Sequence, residues 1–238
     1  MSGDKVFLKE IDWPCFGVPA DKTVPVPPAS EILQRLQKCH DLMDCRNLSH
    51  LVVYADKEHF ANLMYLTHFD PKFEEALLII DRNAEVPLIL VGNECAGHLS
   101  VSPLYNCGKL RYEIYQPFSL ISQPRDHSRP LKEIFEDEGI SHGSKTGCIG
   151  WKYFTGIEFP EPEKIIEIPS YIVEILRSIC GNENVVNATD MLMSPRYGLR
   201  TQCSVHEIVF FEYSSLMASE GMKNLLNNFR CNIPDFEL

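Results

Sequence analysis

The 238-residue sequence contains no apolar run approaching the roughly 20 residues that a membrane-spanning helix needs. Residues 1–10 mix charges and lack an apolar centre, so no secretion leader is expected. The 9 cysteines are scattered and never fall as C-x-x-C. An odd number of thiols without a leader points to reduced, mostly buried cysteines and not to a disulfide framework. Asn47-Leu48-Ser49 and Asn187-Ala188-Thr189 are then chance glycosylation matches, and the expected location is cytoplasmic. Positive charge is scarce. With 22 Lys and Arg against 33 Asp and Glu the net charge is −11, which argues against nucleic acid or an anionic membrane as partner. Internal repeats and low-complexity tracts are absent as well.

Catalytic signatures are missing too. His206-Glu207 begins like a zinc-binding H-E-x-x-H, but Phe210 occupies the fifth position, so one helix face cannot supply two imidazoles. Asp126-His127-Ser128 holds triad letters as chain neighbours, which do not converge as a triad does; it reads as a loop and a helix cap. Gly143-Ser144-Lys145-Thr146 lacks the glycine that precedes the lysine of a phosphate loop. No catalytic or metal-ligating residue is assigned. His59 and His68 flank a short helix, and with Asp56 and Asp70 they are candidates for the rim of a substrate pocket. Glu74 and Glu75 are adjacent and point to opposite faces, so they do not share a proton site.

What is present is ordinary globular composition, 45% apolar and 23% charged, enough for a sizeable core. Five prolines between Ile11 and Ser30 predict an extended segment over 1–30, pinned by Trp13 and Phe16. Ser30 is read as the cap of a helix over 31–46, and Leu51–Tyr54 as a buried strand. Asp56 is read as capping a helix that ends at Tyr65. Ala76–Ile80 and Leu88–Val91 make a β-hairpin across Asp81-Arg82-Asn83-Ala84. Further on come a short helix over 94–99, a strand over 110–115, and a helix over 128–138 capped by Ser128. A strand over 148–151, a helix over 169–180 and a strand at 185–186 follow. Alternating strands and helices with one early hairpin predict an α/β fold, a mixed β-sheet with helices on both faces over 31–198. A long helix from Ser204 to about Arg230 then occupies most of 199–238. Its apolar face includes Phe211, Met222, Leu226 and Phe229, and asks for a partner: the chain's own body, another domain or a second subunit.

Tyr54-x-Asp56-x-Glu58-His59-x-Ala61-Asn62-Leu63, Tyr65-Leu66-Thr67 and the unbroken run Phe69–Leu78 resemble the N-terminal domain of the creatinase/Xaa-Pro aminopeptidase metallopeptidases. Val91-Gly92-Asn93-Glu94, Gln123-Pro124-Arg125, Gly150–Phe154, Met193-Ser194-Pro195-Arg196, Leu199-Arg200 and Glu207-Ile208 continue the likeness in order. The resemblance implies a creatinase N-terminal, ribonuclease H-like domain followed by a C-terminal linker helix. In that family a pita-bread domain hydrolyses bonds beside proline with two divalent metals (manganese, cobalt or zinc), held by two Asp, one His and two Glu. None of those ligands maps onto this sequence, so no cofactor is expected in this chain itself. The implied role is a non-catalytic domain for substrate capping and oligomerisation, inactive alone, with a homodimer or a related subunit as partner. Two alternatives stand beside it: a fragment of an active metal-dependent Xaa-Pro aminopeptidase whose catalytic half is missing from this chain, and a small-molecule or peptide-binding α/β module. Two departures from the family pattern carry expectations. His68 stands where glycine is usual, which argues against positive φ there, and 227–232 departs from the usual lead into catalysis.

Overall fold

A computed structural model of the chain describes residues 23–230 and Pro234. Most of the expected pinning segment, including Trp13 and Phe16, lies outside the described residues, as do Cys15 and Cys231. Pro27–Gln202 form one compact unit, and the described residues from Cys203 onward belong to a second.

In the first unit six strands form one sheet, in the order β4-β3-β2-β1-β5-β6. They are β1 (His50–Ala55), β2 (Ala76–Asp81), β3 (Leu88–Val91), β4 (Arg111–Ile114), β5 (Thr146–Ile149) and β6 (Val185–Asn187). β2 runs antiparallel to β1 and β3, whereas the β1–β5, β3–β4 and β5–β6 pairs are parallel. The register places Val52 opposite both Ile79 and Cys148.

Side-chain alternation sends successive strand residues to two separate cores. On one face Leu51, Val53, Leu78, Ile80 and Ile89 pack with α1 (Ala29–Arg46), α2 (Ala61–Thr67), α3 (Pro103–Asn106) and α6 (Asp190–Met193). On the other, Val52, Leu77, Ile79, Leu90 and Cys148 meet α4 (Leu131–Asp137) and α5 (Ser170–Cys180). Covering both faces explains why Ala76–Ile80 is apolar without alternation: every residue in it is buried. Gly147 in β5 is required by packing, since a Cβ there would lie 2.8 Å from both Ala188 and Leu51.

Several helix starts differ from the sequence reading, and prolines are the reason. α1 begins at Ala29 after Pro28, with Ser30 inside its first turn, and α4 begins at Leu131 after Pro130. Proline's fixed φ presets the start of each helix. Ser128, released from capping, accepts a hydrogen bond from the Gln116 N–H at 2.5 Å. Asp56 closes a turn before α2, accepting from the Glu58 and His59 N–H groups at 2.8 and 2.7 Å. α2 therefore starts at Ala61 and runs to Thr67. The expectation at His68 is overturned as well: it ends α2 in the left-handed region, φ 54, ψ 33. There its N–H caps the Met64 carbonyl at 2.7 Å, and that bond offsets the strain of a side chain at positive φ.

In the second unit α7 (Val205–Asn228) opens with a capping box, in which Ser204 and Glu207 each bond the other's backbone N–H. None of its residues is buried.

Candidate functional site

The parallel strands β1, β3, β4 and β5 all end at one edge of the sheet, where β2 begins. Open α/β sheets place ligand crevices at this carboxyl edge. Asp56 follows β1, Gly92 follows β3, Tyr115 follows β4, Trp151 follows β5, and Glu74 and Glu75 precede β2.

Two of the four predicted rim residues meet here. The His59 imidazole lies 3.0 Å from the Asp56 carboxylate and stacks on Trp151 at 4.3 Å and 19°. Burial raises the Asp56 carboxyl, but hydrogen bonds from the His59 side chain and from the His59 and Glu58 N–H groups outweigh it, holding it below the usual range. Lys152 extends over the other ring system, its Nζ 3.8 Å from the Trp151 centroid. The other two, His68 and Asp70, lie at the far end of α2, about 10 Å of helix away. Burial, then the Arg35 charge, lowers the His68 pKa, and Asp70 pairs with Lys72 at 2.8 Å. The structure thus brings Asp56 and His59 together and places His68 and Asp70 at the other end of α2.

The sequence reading missed the centre of this edge. Glu75 accepts from the Tyr54 hydroxyl at 2.7 Å, and burial raises its carboxyl against the effect of that bond. Asp56 and Arg125 lie within electrostatic reach of it. Tyr54, Tyr115 and Tyr171 are pushed above the ordinary phenol value by burial, then by the Glu75 hydrogen bond at Tyr54 and the Glu75 charge at the other two, so all three stay protonated. Glu75 thus sits among phenolic groups at the mouth of the sheet, a pattern invisible while Tyr54 and Tyr171 are 117 positions apart. Glu74, by contrast, is buried and accepts from the Cys95 and Glu94 N–H groups at 2.9 and 3.2 Å.

Asn62 fixes the floor. It is buried, donates to the Gly150 carbonyl at 2.6 Å, and accepts from Arg200 at 2.7 Å. Three separated stations of the sequence pattern, at Asn62, Gly150 and Arg200, are therefore one hydrogen-bonded knot.

The implied two-metal centre does not fit these residues. Among the described residues no group of three or more His, Cys, Asp or Glu is placed to hold a metal ion. Asp56 Oδ1 and both Glu74 oxygens already accept from backbone N–H groups, Asp56 Oδ2 faces the His59 imidazole, and Glu75 serves Tyr54. The seven described cysteines are free, with Cys45, Cys107 and Cys203 exposed. Burial pushes the thiols of Cys39, Cys95 and Cys148 up to about 12, so they remain protonated. The edge offers hydrogen bonds, charge and aromatic surface for holding a ligand.

No protein-family model and no curated protein matches this sequence. Solved structures do. The prolidase from Pyrococcus horikoshii is 12% identical, with a TM-score of 0.54 over 86% of this chain and 45% of that chain. The dipeptidase PepE from Mycobacterium ulcerans is 17% identical, with a TM-score of 0.49 over 76% and 39%. The creatinase/prolidase N-terminal domain of an X-Pro dipeptidase from Streptococcus pyogenes is 13% identical, with a TM-score of 0.40 over 67% and 94%. The chain spans less than half the length of the prolidase and of PepE. Over 86% of its length the chain shares the mixed α/β fold seen in the Pyrococcus horikoshii prolidase. Among the described residues no helix is long and apolar enough to cross a membrane.

Proposed function

We propose that this chain is the N-terminal, non-catalytic domain of a creatinase/Xaa-Pro aminopeptidase-like metallopeptidase, capping substrate and assembling oligomers. The observation that supports this most is the fold shared with the Pyrococcus prolidase, across most of this chain but under half of that one. The carboxyl edge of the sheet is the capping surface. Asp56, His59 and Trp151 present charge and an aromatic face to a peptide, backed by Glu75 and its tyrosines. Metals belong to a catalytic domain and not to this edge. Oligomers form through α7, where Phe211, Met222 and Leu226 share one face and Phe229 caps its end, each of them more than half exposed. The partner is a second copy or a related subunit, in the cytoplasm.

The purified chain, given manganese or cobalt and an Xaa-Pro dipeptide, is expected to show no turnover. Metal-dependent hydrolysis by the purified chain would overturn the non-catalytic reading. In sedimentation, a dimer should appear with rising concentration and dissolve when Phe211→Glu and Phe229→Glu are combined. A monomer at every concentration would remove the oligomer role.

A further inference from the structure

Two adjoining clefts of about 320 and 280 Å³ share Arg46, Glu163 and Asn187 as lining. Both lie beside β6, the outermost strand of its side of the sheet, with the short 3-10 helix Pro162–Lys164 packed against that strand. The 280 Å³ cleft holds Lys145 and Glu163, groups of opposite charge that form no ion pair among the described residues. Lys145 is half-buried, and among the described residues its ammonium donates only to the Arg46 carbonyl, at 3.2 Å. Two of its three N–H donors are left for a ligand. Glu163 is exposed, and its carboxylate accepts no hydrogen bond within the described residues. The 320 Å³ cleft is different in kind, with walls that include Tyr153, Phe154 and Tyr197.

Arg46 separates the two without contributing free charge. It makes a bidentate pair with Asp190 at 2.7 and 2.8 Å, and Asp190 also accepts from the Tyr197 hydroxyl at 2.5 Å. Asn187 is held by donating to the Lys152 and Ile165 carbonyls at 3.1 and 2.7 Å. The frame is therefore satisfied and fixed, while one cation and one anion inside it are not.

We infer that these clefts bind a small zwitterion bearing an ammonium, a carboxylate and an apolar side chain, of amino-acid or dipeptide size. Lys145 takes the carboxylate, Glu163 the ammonium, and the apolar group lies against Tyr153, Phe154 and Tyr197. A ligand with one charge alone would leave the opposite group of the cleft unmatched, which is why a zwitterion is favoured over a simple anion or cation. None of Asp56, His59, Glu75 and Trp151 lines these clefts, and the proposal involves neither metal nor hydrolysis, so it stands or falls apart from the capping role.

Calorimetric titration of the full chain with L-leucine, L-phenylalanine and glycyl-L-leucine tests it, the free amino acids and the dipeptide separating the two sources. Saturable binding of at least one is expected. It should weaken about tenfold for N-acetyl-L-leucine, for L-leucinamide, and in the Lys145→Gln and Glu163→Gln variants, as loss of one charge-assisted hydrogen bond requires. Glu163 is exposed, so Glu163→Gln should keep the wild-type melting temperature and isolates binding from folding. Absence of saturable binding by all three ligands would overturn the inference. So would affinity unchanged by blocking either ligand charge or by Glu163→Gln.

Discussion

Glu74 and Glu75 are neighbours with opposite fates. Glu74 turns inward and satisfies the Cys95 and Glu94 N–H groups, while Glu75 faces the sheet's edge and binds the Tyr54 hydroxyl. The turn before them accounts for this: Lys72 takes positive φ, and the Glu74 N–H bonds the Pro71 carbonyl at 3.0 Å. Gly92 belongs to the same unit, because a Cβ there would strike the Glu74 carboxylate. Glu74→Ala leaves two N–H groups without their acceptor and should cost about 3 kcal/mol, read as a lower urea midpoint. Glu75→Gln keeps an acceptor for Tyr54 and should shift that midpoint much less. Equal losses would contradict the assignment of the two roles. The adjacency of these carboxylates was legible in the sequence, as was their divergence. Which one is the buried anchor was not, since its partners lie 20 and 21 positions away.

At the scale of elements, β1, β2 and β3 were legible as compact apolar runs in a sheet covered on both faces, and the edge strand β4 by its alternation. The β2–β3 hairpin falls where its turn residues put it, with the Asn83 N–H bonded to Asp81 at 2.9 Å. Helix starts were harder. Ser30, Asp56 and Ser128 all have capping chemistry, but Pro28 and Pro130 preset two starts and Asp56 commits its Oδ1 to a separate turn. The short α6 was missed because four residues carry no readable period. α7 offers a direct test at this scale. Gly221 sits inside the helix with open space where a Cβ would go. Gly221→Ala should stabilise the helix by about 1 kcal/mol, seen as increased helical circular dichroism and slower amide exchange around the site. A decrease in helicity would show that this glycine serves a close contact.

For the whole molecule, acid sensitivity follows from histidines that fold in neutral form. His50 is buried, with Nε2 3.1 Å from the Glu138 carbonyl, and burial lowers its pKa despite the Asp81 charge. His68 is lowered in the same way, by burial and by Arg35. An unfolded histidine titrates near about 6.5. Their contribution is therefore complete above that pH and is lost as pH falls through the lower folded values, where the unfolded chain binds more protons. The raised Glu75 carboxyl acts in the opposite sense at lower pH, favouring the folded, protonated form. The urea midpoint should hold steady near pH 8 and decline on acidification below about 6.5, with a shallower decline in His50→Gln. A midpoint independent of pH over that window would refute the neutral burial of His50.

The sequence by itself determined the strand set, the mixed α/β class and the long amphipathic α7. All three follow from local periodicity and turn chemistry, which act over a few residues. It also carried the family resemblance in order along the chain. Only the tertiary structure joined Asn62, Gly150 and Arg200, set Tyr54 on Glu75, and placed Lys145 and Glu163 in one cleft. Those contacts depend on strand order and crossover connections, and neither is encoded in the spacing of the residues that meet.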